Sequence, residues 1–418
     1  MKIAVVGGGI AGIITAYVLS REHEVTLIER EGYVGGHTNT RLVDDPINSE
    51  LPVDTGFIVC NPRNYPNFYR FLDQLGIARQ DSDMSFGFYC EKSGLQYMGP
   101  SVAEFIKTPG NLLNPSFMSM VFEQWRFNRR ALADLASGSL GEIALGDYLK
   151  RVGTSQYFLD NYLAPLIGSI WSAPDSNALE FPALSFLTFF RNHGMLELST
   201  RPQWQTIVGG SQSYVRAFLK VFNGDVRTKS PVVSISRTNS GVEISWRDGV
   251  IENFDKVVIA THADEALKLL KDPSSDEERA LGAWRYSVNR VVLHTDNKVV
   301  GPKKRLWAAW NYRRRSEADI KSPVAITYYM NKLQRLNAKR DYFVTLNCHD
   351  EINPGSIIYD TVYTHPIYTP RSPQSQKEIG QLNGTRNTYF CGAYMRYGFH
   401  EDAVWSALEV TKTFGMEL

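Results

Sequence analysis

The chain has 418 residues, of which 43% are hydrophobic and 21% charged, with 32 Gly and 19 Pro. Single cores stop growing at about 250–300 residues, so two domains are expected, and the ordinary globular composition excludes collagen-like, low-complexity and wholly disordered chains. Lys+Arg is 45 against Asp+Glu 44, a net charge of +1, which lacks the basic excess of a nucleic-acid binder.

Residues Ile3 to Leu19 carry no charge, which raises the question of a signal peptide or membrane span. The triplet Gly7-Gly8-Gly9 and the charged Arg21-Glu22-His23-Glu24 that follow favour strand, turn and helix instead. Ile3 to Val6 reads as a buried parallel strand, Ile10 to Ser20 as a helix and Val25 to Ile28 as a second strand closed by Glu29. Gly7-Gly8-Gly9-Ile10-Ala11-Gly12 is thus a G-x-G-x-x-G in a βαβ context. Gly7 allows the tight turn, Gly9 lets backbone approach a pyrophosphate, and Gly12 permits close helix packing. The helix start offers free N–H groups to phosphate, and Glu29 is placed for ribose hydroxyls. After Arg30, a second turn, Gly35-Gly36-His37-Thr38, suits the ribityl-phosphate part of FAD, which NAD enzymes do not need to hold. Only one G-x-G-x-x-G occurs, so no second nucleotide domain for NAD(P)H is expected. Electrons then enter from the substrate and leave to oxygen or another acceptor.

Pro115 to Leu135 reads as a helix with Arg126, Arg129 and Arg130 on one face, and Lys303-Lys304-Arg305 and Arg313-Arg314-Arg315 are two further basic clusters. Such clusters are solvated faces or docks for anionic headgroups. Ser211 or Ser213 is placed to cap a helix running to Phe222. Val232 to Ile235, the alternating Val242–Arg247 and the turn Asp248-Gly249 read as a β-meander, followed by a buried strand, Asp255 to Thr261. Thr388 to Cys391 reads as a strand, then Gly392, a loop, and a helix from Glu401 to Phe414 whose positive end is expected to face the flavin and steady negative charge on it. Cys60, Cys90, Cys348 and Cys391 are widely spaced, without disulfide or zinc patterns; no metal is expected, and the compartment reads as cytoplasmic.

These three nucleotide elements resemble the flavin-containing amine oxidase superfamily. Local strings are more specific: Gly35-Gly36-His37, Ser82-Asp83-Met84-Ser85-Phe86, Gly168-Ser169-Ile170-Trp171-Ser172, Arg191-Asn192-His193, Arg201-Pro202-Gln203-Trp204, Gln212-Ser213-Tyr214-Val215, Phe390-Cys391-Gly392-Ala393-Tyr394 and Tyr397-Gly398-Phe399-His400-Glu401-Asp402. They look like the FAD-binding N-terminal region of plant cyclopropane fatty acid synthases and its stand-alone bacterial relatives. The resemblance implies an α/β fold: a Rossmann-type FAD-binding domain with β-meander (residues 1–60, 206–275 and 386–418) interleaved with an α+β substrate domain (61–205 and 276–385). It implies noncovalent FAD, held by Gly7, Gly9, Ile10, Ala11, Gly12, Glu29, Arg30, Gly35, Gly36, His37, Thr38, Gly56, Phe57, Val233, Gly392, Glu401, Asp402 and Ala403. Trp171, Arg191, Trp204 and Tyr394 are candidate substrate-pocket residues.

The implied activity is desaturation of a methyl-modified or unsaturated fatty acyl chain, beside an acyl methyltransferase that would be a separate protein, since the chain stops at Leu418. Peripheral membrane contact would suit such a substrate. His400, Glu401, His365 and His193 are candidate bases. A non-catalytic FAD-bound accessory protein and a flavin amine oxidase are the alternatives. His37 stands where the amine oxidases usually carry Arg, and neither their flavin-side lysine nor their aromatic cage can be placed.

Overall fold

The computed structural model describes residues 1–99, 108–141, 143–171, 179–196, 202–247, 249–316 and 325–418. Of the motif residues above, Ser172, Arg201 and Asp248 lie outside these.

Five strands form a parallel sheet in the order Asp225–Arg227, Glu24–Ile28, Lys2–Val6, Lys256–Ile259, Thr388–Phe390. Their runs are apolar because both faces are covered. Ile3, Val5, Leu27 and Val258 face the helix Ile10–Leu19 and the C-terminal helix His400–Lys412, while Ala4, Val6, Ile28, Val257 and Ile259 face a second core shared with the substrate side. The edge strand Asp225–Arg227 has only three residues and mixed polarity, which explains why its sequence carries no strand signal. The meander runs Val232–Arg237, Val242–Trp246, Ile251–Phe254, all antiparallel.

A seven-stranded sheet faces the nucleotide unit, in the order Ile357–Ile367, Arg285–His294, Phe343–Leu346, Ile326–Tyr329, Trp310–Arg314, Phe86–Cys90, Gln96–Gly99. It is antiparallel except where Trp310–Arg314 meets Phe86–Cys90. Helices Pro115–Ser137, Leu145–Val152, Ala164–Trp171 and Ala183–Asn192 complete this half.

Several local expectations are corrected. Ser211 does precede the helix Gln212–Val221, but its hydroxyl is given to Asp54 (2.8 Å) and caps nothing. Asp54 is fully buried and also accepts from Ser211 N, Thr40 Oγ1 and Gln334 Nε2, so one carboxylate ties the second glycine turn's exit to both halves of the molecule. Of the basic clusters, Arg313-Arg314-Arg315 is answered internally, and in Lys303-Lys304-Arg305 the middle residue is. Lys304 pairs with Asp341, Arg313 with Glu91 and Glu351, Arg315 with Glu351, and Arg314 donates to the Asp160 carbonyl. All four cysteines are free and buried.

The meander is locked to the helix Ser275–Leu281 by a dry ion pair. Arg237 and Glu277 side chains are each 1% exposed and meet at 2.9 Å, with Asp272 on the Arg237 Nε at 2.7 Å. Glu277 also closes a capping box with Ser274. Breaking a buried pair strands a charge, at about 3–5 kcal/mol. Arg237→Met is therefore expected to lower unfolding free energy by about that amount in chemical denaturation; a loss below about 1 kcal/mol would show Glu277 to be rehydrated.

Candidate flavin and substrate cavity

A cavity of about 950 Å³ lies between the parallel sheet's C-terminal edge and the seven-stranded sheet. At one end the glycine turns set its shape. Gly7 has φ +106°, and a Cβ on Gly12 would sit 1.9 Å from the Gly7 carbonyl oxygen, so neither position admits a side chain. A Cβ on Gly9 would meet nothing within 4 Å: it would point into the space a pyrophosphate needs. The helix Ile10–Leu19 has no side-chain cap and no acid in its first turn, so its N–H groups and positive end are unanswered by the protein. Glu29 is held by Gly8 N (2.8 Å) and Glu31 N (2.8 Å), leaving lone pairs for ribose hydroxyls. Gly35 N donates to the Gly8 carbonyl at 2.8 Å, and a Cβ on Gly36 would lie 3.2 Å from the Gly9 Cα.

Farther in, three polar atoms on the cavity wall are buried without a protein partner among the described residues: His37 Nε2, Trp310 Nε1 and Tyr394 Oη. Buried polar groups are normally satisfied. The open glycine cradle, the uncapped helix start and these orphans together fit FAD. When bound, it supplies a two-electron acceptor. Gly7–Gly12 would hold the pyrophosphate, Glu29 the ribose, and Gly35–Gly36–His37 the inner segment. None of the cysteines lines the cavity.

Of the expected cofactor residues, Gly7, Gly9, Ile10, Ala11, Glu29, Arg30, Gly35, Gly36, His37, Gly56, Phe57, Gly392 and Ala403 line the cavity. Five do not. Gly12 acts from behind, against Gly7. Thr38 is buried, with its hydroxyl 2.5 Å from Tyr214 Oη. Val233 is half exposed while its neighbour Val232 lines the cavity, since adjacent strand residues take opposite faces. Glu401 accepts from Asn67 N, Asn67 Nδ2 and Phe68 N, capping the helix Pro66–Gln74 across space. Asp402 accepts from Tyr397 N and Phe399 N, and burial pushes its carboxyl up to about 7. The C-terminal helix therefore starts with two carboxylates of its own, and the expected free positive end is already answered.

The substrate-pocket candidates Trp171, Trp204 and Tyr394 line the wall; Arg191 is exposed on the last turn of its helix, which turns Phe189 inward instead. Among the candidate bases, His193, His365 and His400 line the cavity and Glu401 does not. His193 bonds the Phe189 carbonyl at 2.9 Å and stacks on that ring. His400 stacks on Phe57 at 3.8 Å and meets Tyr214 Oη at 3.0 Å. His365 Nδ1 lies 3.0 Å from Asn289 Nδ2. The structure adds His262, stacked on Tyr286 and 3.2 Å from Thr364 Oγ1. The ring centroids of His37 lie 5.4 Å from His365 and 6.0 Å from His262. These three imidazoles come from residues more than a hundred positions apart, so no sequence window could show them as a group. Burial, reinforced by their mutual proximity, holds His37 far below the usual histidine range; burial and His262 push His365 down to about 4.

A model of flavin-containing amine oxidoreductases matches residues 10–412. The chain belongs to that family. It is an FAD-dependent oxidoreductase with the two-domain amine-oxidase fold. An L-amino-acid oxidase from Siganus canaliculatus is 23% identical over 316 residues, covering 70% of this chain and 56% of that protein, so the chain spans about half the relative's length. A protein assigned as a protoporphyrinogen oxidase from Exiguobacterium sp. 255-15 superimposes with TM-score 0.70 at 14% identity, covering 99% of this chain and 98% of that one. A CLA-producing fatty acid isomerase from P. acnes does so with TM-score 0.70 at 16% identity and the same coverage. The superfamily likeness thus holds; the narrower likeness to cyclopropane fatty acid synthases finds no counterpart in these matches. Among the described residues, no helix is long and apolar enough to cross a membrane.

Two outcomes follow for this flavoprotein. Gly9→Ala is expected to leave the apoprotein's melting temperature unchanged while cutting FAD retention at least tenfold, roughly 1.4 kcal/mol, whereas Gly12→Ala fails to fold; flavin absorbance per chain and melting curves decide both. The second concerns acid. His193, His294 and His365 are pushed down to about 4 and His400 to about 3, by burial in each case. Below the ordinary histidine range the unfolded chain then binds more protons than the folded one, so stability falls as pH drops from about 6.5 towards 4. Asp54, raised by burial to about 6, and Asp402 act in the opposite sense, but the four imidazoles have the larger combined shift. A melting temperature that is flat or rises from pH about 7 to about 4.5 would contradict buried neutral imidazoles.

Proposed function

We propose that the protein dehydrogenates a neutral, acyl-chain-like substrate, a fatty acyl group that is unsaturated or methyl-modified. One observation supports this above others. The charged side chains lining the cavity are Glu29, Arg30, Glu31, Glu265 and Lys268. All belong to the nucleotide end: Arg30 pairs with Glu265 at 2.6 Å, and Lys268 lies one turn further along the same helix. The substrate end is walled by apolar and aromatic side chains such as Met84, Phe86, Leu166, Ile170, Trp171, Phe189 and Trp204, with no lysine, arginine or carboxylate among the described residues. A substrate carboxylate or ammonium would be desolvated there without a counter-charge, which is costly. An acyl chain incurs no such penalty.

In this reading the aromatic wall orients the chain and excludes water. The long strand Ile357–Ile367 presents Tyr359, Thr361, Tyr363 and His365 at alternate positions. Tyr363 is fixed by Asn39 Nδ2 (2.9 Å) and Thr55 Oγ1 (3.1 Å). FAD, when bound, would supply the hydride acceptor; the proton of the adjacent carbon would pass to a neutral imidazole, for which His365 is the candidate, leaving a carbon–carbon double bond. On this proposal the protein works beside an acyl methyltransferase.

Anaerobic addition of acyl lipids is expected to bleach the visible flavin band, and His365→Ala to slow bleaching by about 10²–10⁴-fold without loss of bound flavin. Bleaching by amines or L-amino acids, with peroxide released in air, and none by lipids, would replace this reading with amine oxidation. Flavin that no substrate reduces would favour the accessory role.

A further inference from the structure

The helix Pro115–Ser137 has 23 residues, about 35 Å of axis. Asn114 caps it through Ser116 N (3.0 Å), and Gly138 in the left-handed region ends it. Its inward face is ordinary core: Phe117, Met120, Phe127 and Ala131 are buried. Both of its carboxylates also face inward. Glu123 accepts from Ser155 N and Oγ, and Asp134 from Arg130 and Tyr148.

The outward face runs against the usual pattern, in which the stripe opposite the core is polar. Met118, Phe122 and Trp125 follow one another at four- and three-residue spacing, 42%, 63% and 53% exposed, and Leu113 just before the helix is 87% exposed. The Phe122 and Trp125 rings pack 5.6 Å apart, and the Arg129 guanidinium lies 4.8 Å over Trp125. Arg126 and Arg130 flank this stripe, and no acid shares the exposed face. Arg130 is paired with Asp134 at 2.9 Å and Arg126 lies 3.9 Å from Glu123. Both acids are buried beneath the helix, so the exposed face itself presents cations, with Arg129 over Trp125 answered by no acid among the described residues.

We propose that this face seats in the headgroup region of an anionic lipid bilayer. An apolar stripe with Trp at its centre, rimmed by cations, matches an interfacial helix: the rings enter the acyl boundary and the guanidinium groups meet lipid phosphates. Juxtamembrane cations contribute about 1 kcal/mol each against an anionic leaflet, so charge complementarity selects a bilayer over an uncharged apolar partner. The same helical half supplies Leu166, Trp171 and Phe189 to the cavity wall. The proposal does not depend on the reaction catalysed.

The test uses the full chain with FAD and large vesicles of mixed phosphatidylcholine and phosphatidylglycerol. Co-sedimentation at low salt is expected, with loss at about 1 M salt, where the Debye length is ~3 Å. Arg126→Gln with Arg129→Gln is expected to weaken partitioning at least tenfold, and Phe122→Ser with Trp125→Ser to abolish it, with flavin content unchanged. Brominated lipid quenches the wild-type tryptophan fluorescence and spares Trp125→Phe. The proposal is overturned by an absence of binding to these vesicles at low salt, by binding that both double variants retain, or by a wild-type dimer that Phe122→Ser with Trp125→Ser dissociates, which would assign the face to a second copy of the chain.

Discussion

Two glycine turns lie backbone against backbone at the mouth of the nucleotide site, and the rest of the arrangement depends on that contact. Gly36 rests on Gly9, where a Cβ on Gly36 would lie 3.2 Å from the Gly9 Cα, and Gly35 N reaches the Gly8 carbonyl at 2.8 Å. The constraint fixes where residue 37 emerges and so brings an imidazole, rather than a flexible cationic side chain, to the cavity wall. It also fixes the exit path through Thr40, whose hydroxyl reaches Asp54 and thereby the Ser211 and Gln334 segments. A close contact between two backbone turns is converted into the relative placement of two halves of the molecule.

The cavity divides by polarity. Ion pairs and backbone N–H groups gather where a dinucleotide's phosphates and riboses belong, while the opposite end is aromatic and aliphatic, with histidines kept neutral by burial. Among the described residues, charge is therefore confined to the end that fits the cofactor.

The nucleotide unit was legible because its chemistry is local. A tight turn, a close backbone approach and a terminal acid need particular residue types at fixed spacing, and Gly7, Gly9, Gly12 and Glu29 supply them. Residues whose roles depend on distant segments were not legible. Glu401 sits where a flavin contact was expected but is drawn to the start of another helix. Arg313 to Arg315 look like a cationic surface patch until Glu91 and Glu351 are brought alongside. His262, Tyr286 and Trp310 carry no motif and enter the wall only because two sheets face each other. Val233 shows the smallest such error: a one-residue shift along a strand exchanges cavity for solvent.

The cap that Glu401 provides to Pro66–Gln74 spans 334 positions, and the central sheet is likewise completed by Thr388–Phe390 pairing with Lys256–Ile259. During synthesis the early helix emerges with its first amides uncapped, and the sheet keeps an open edge, until residues 388–401 have been made. Contacts of such long range are slow to form and leave apolar edges exposed meanwhile. The parallel sheet that carries the nucleotide turn is thus complete only after the strand Thr388–Phe390 has docked.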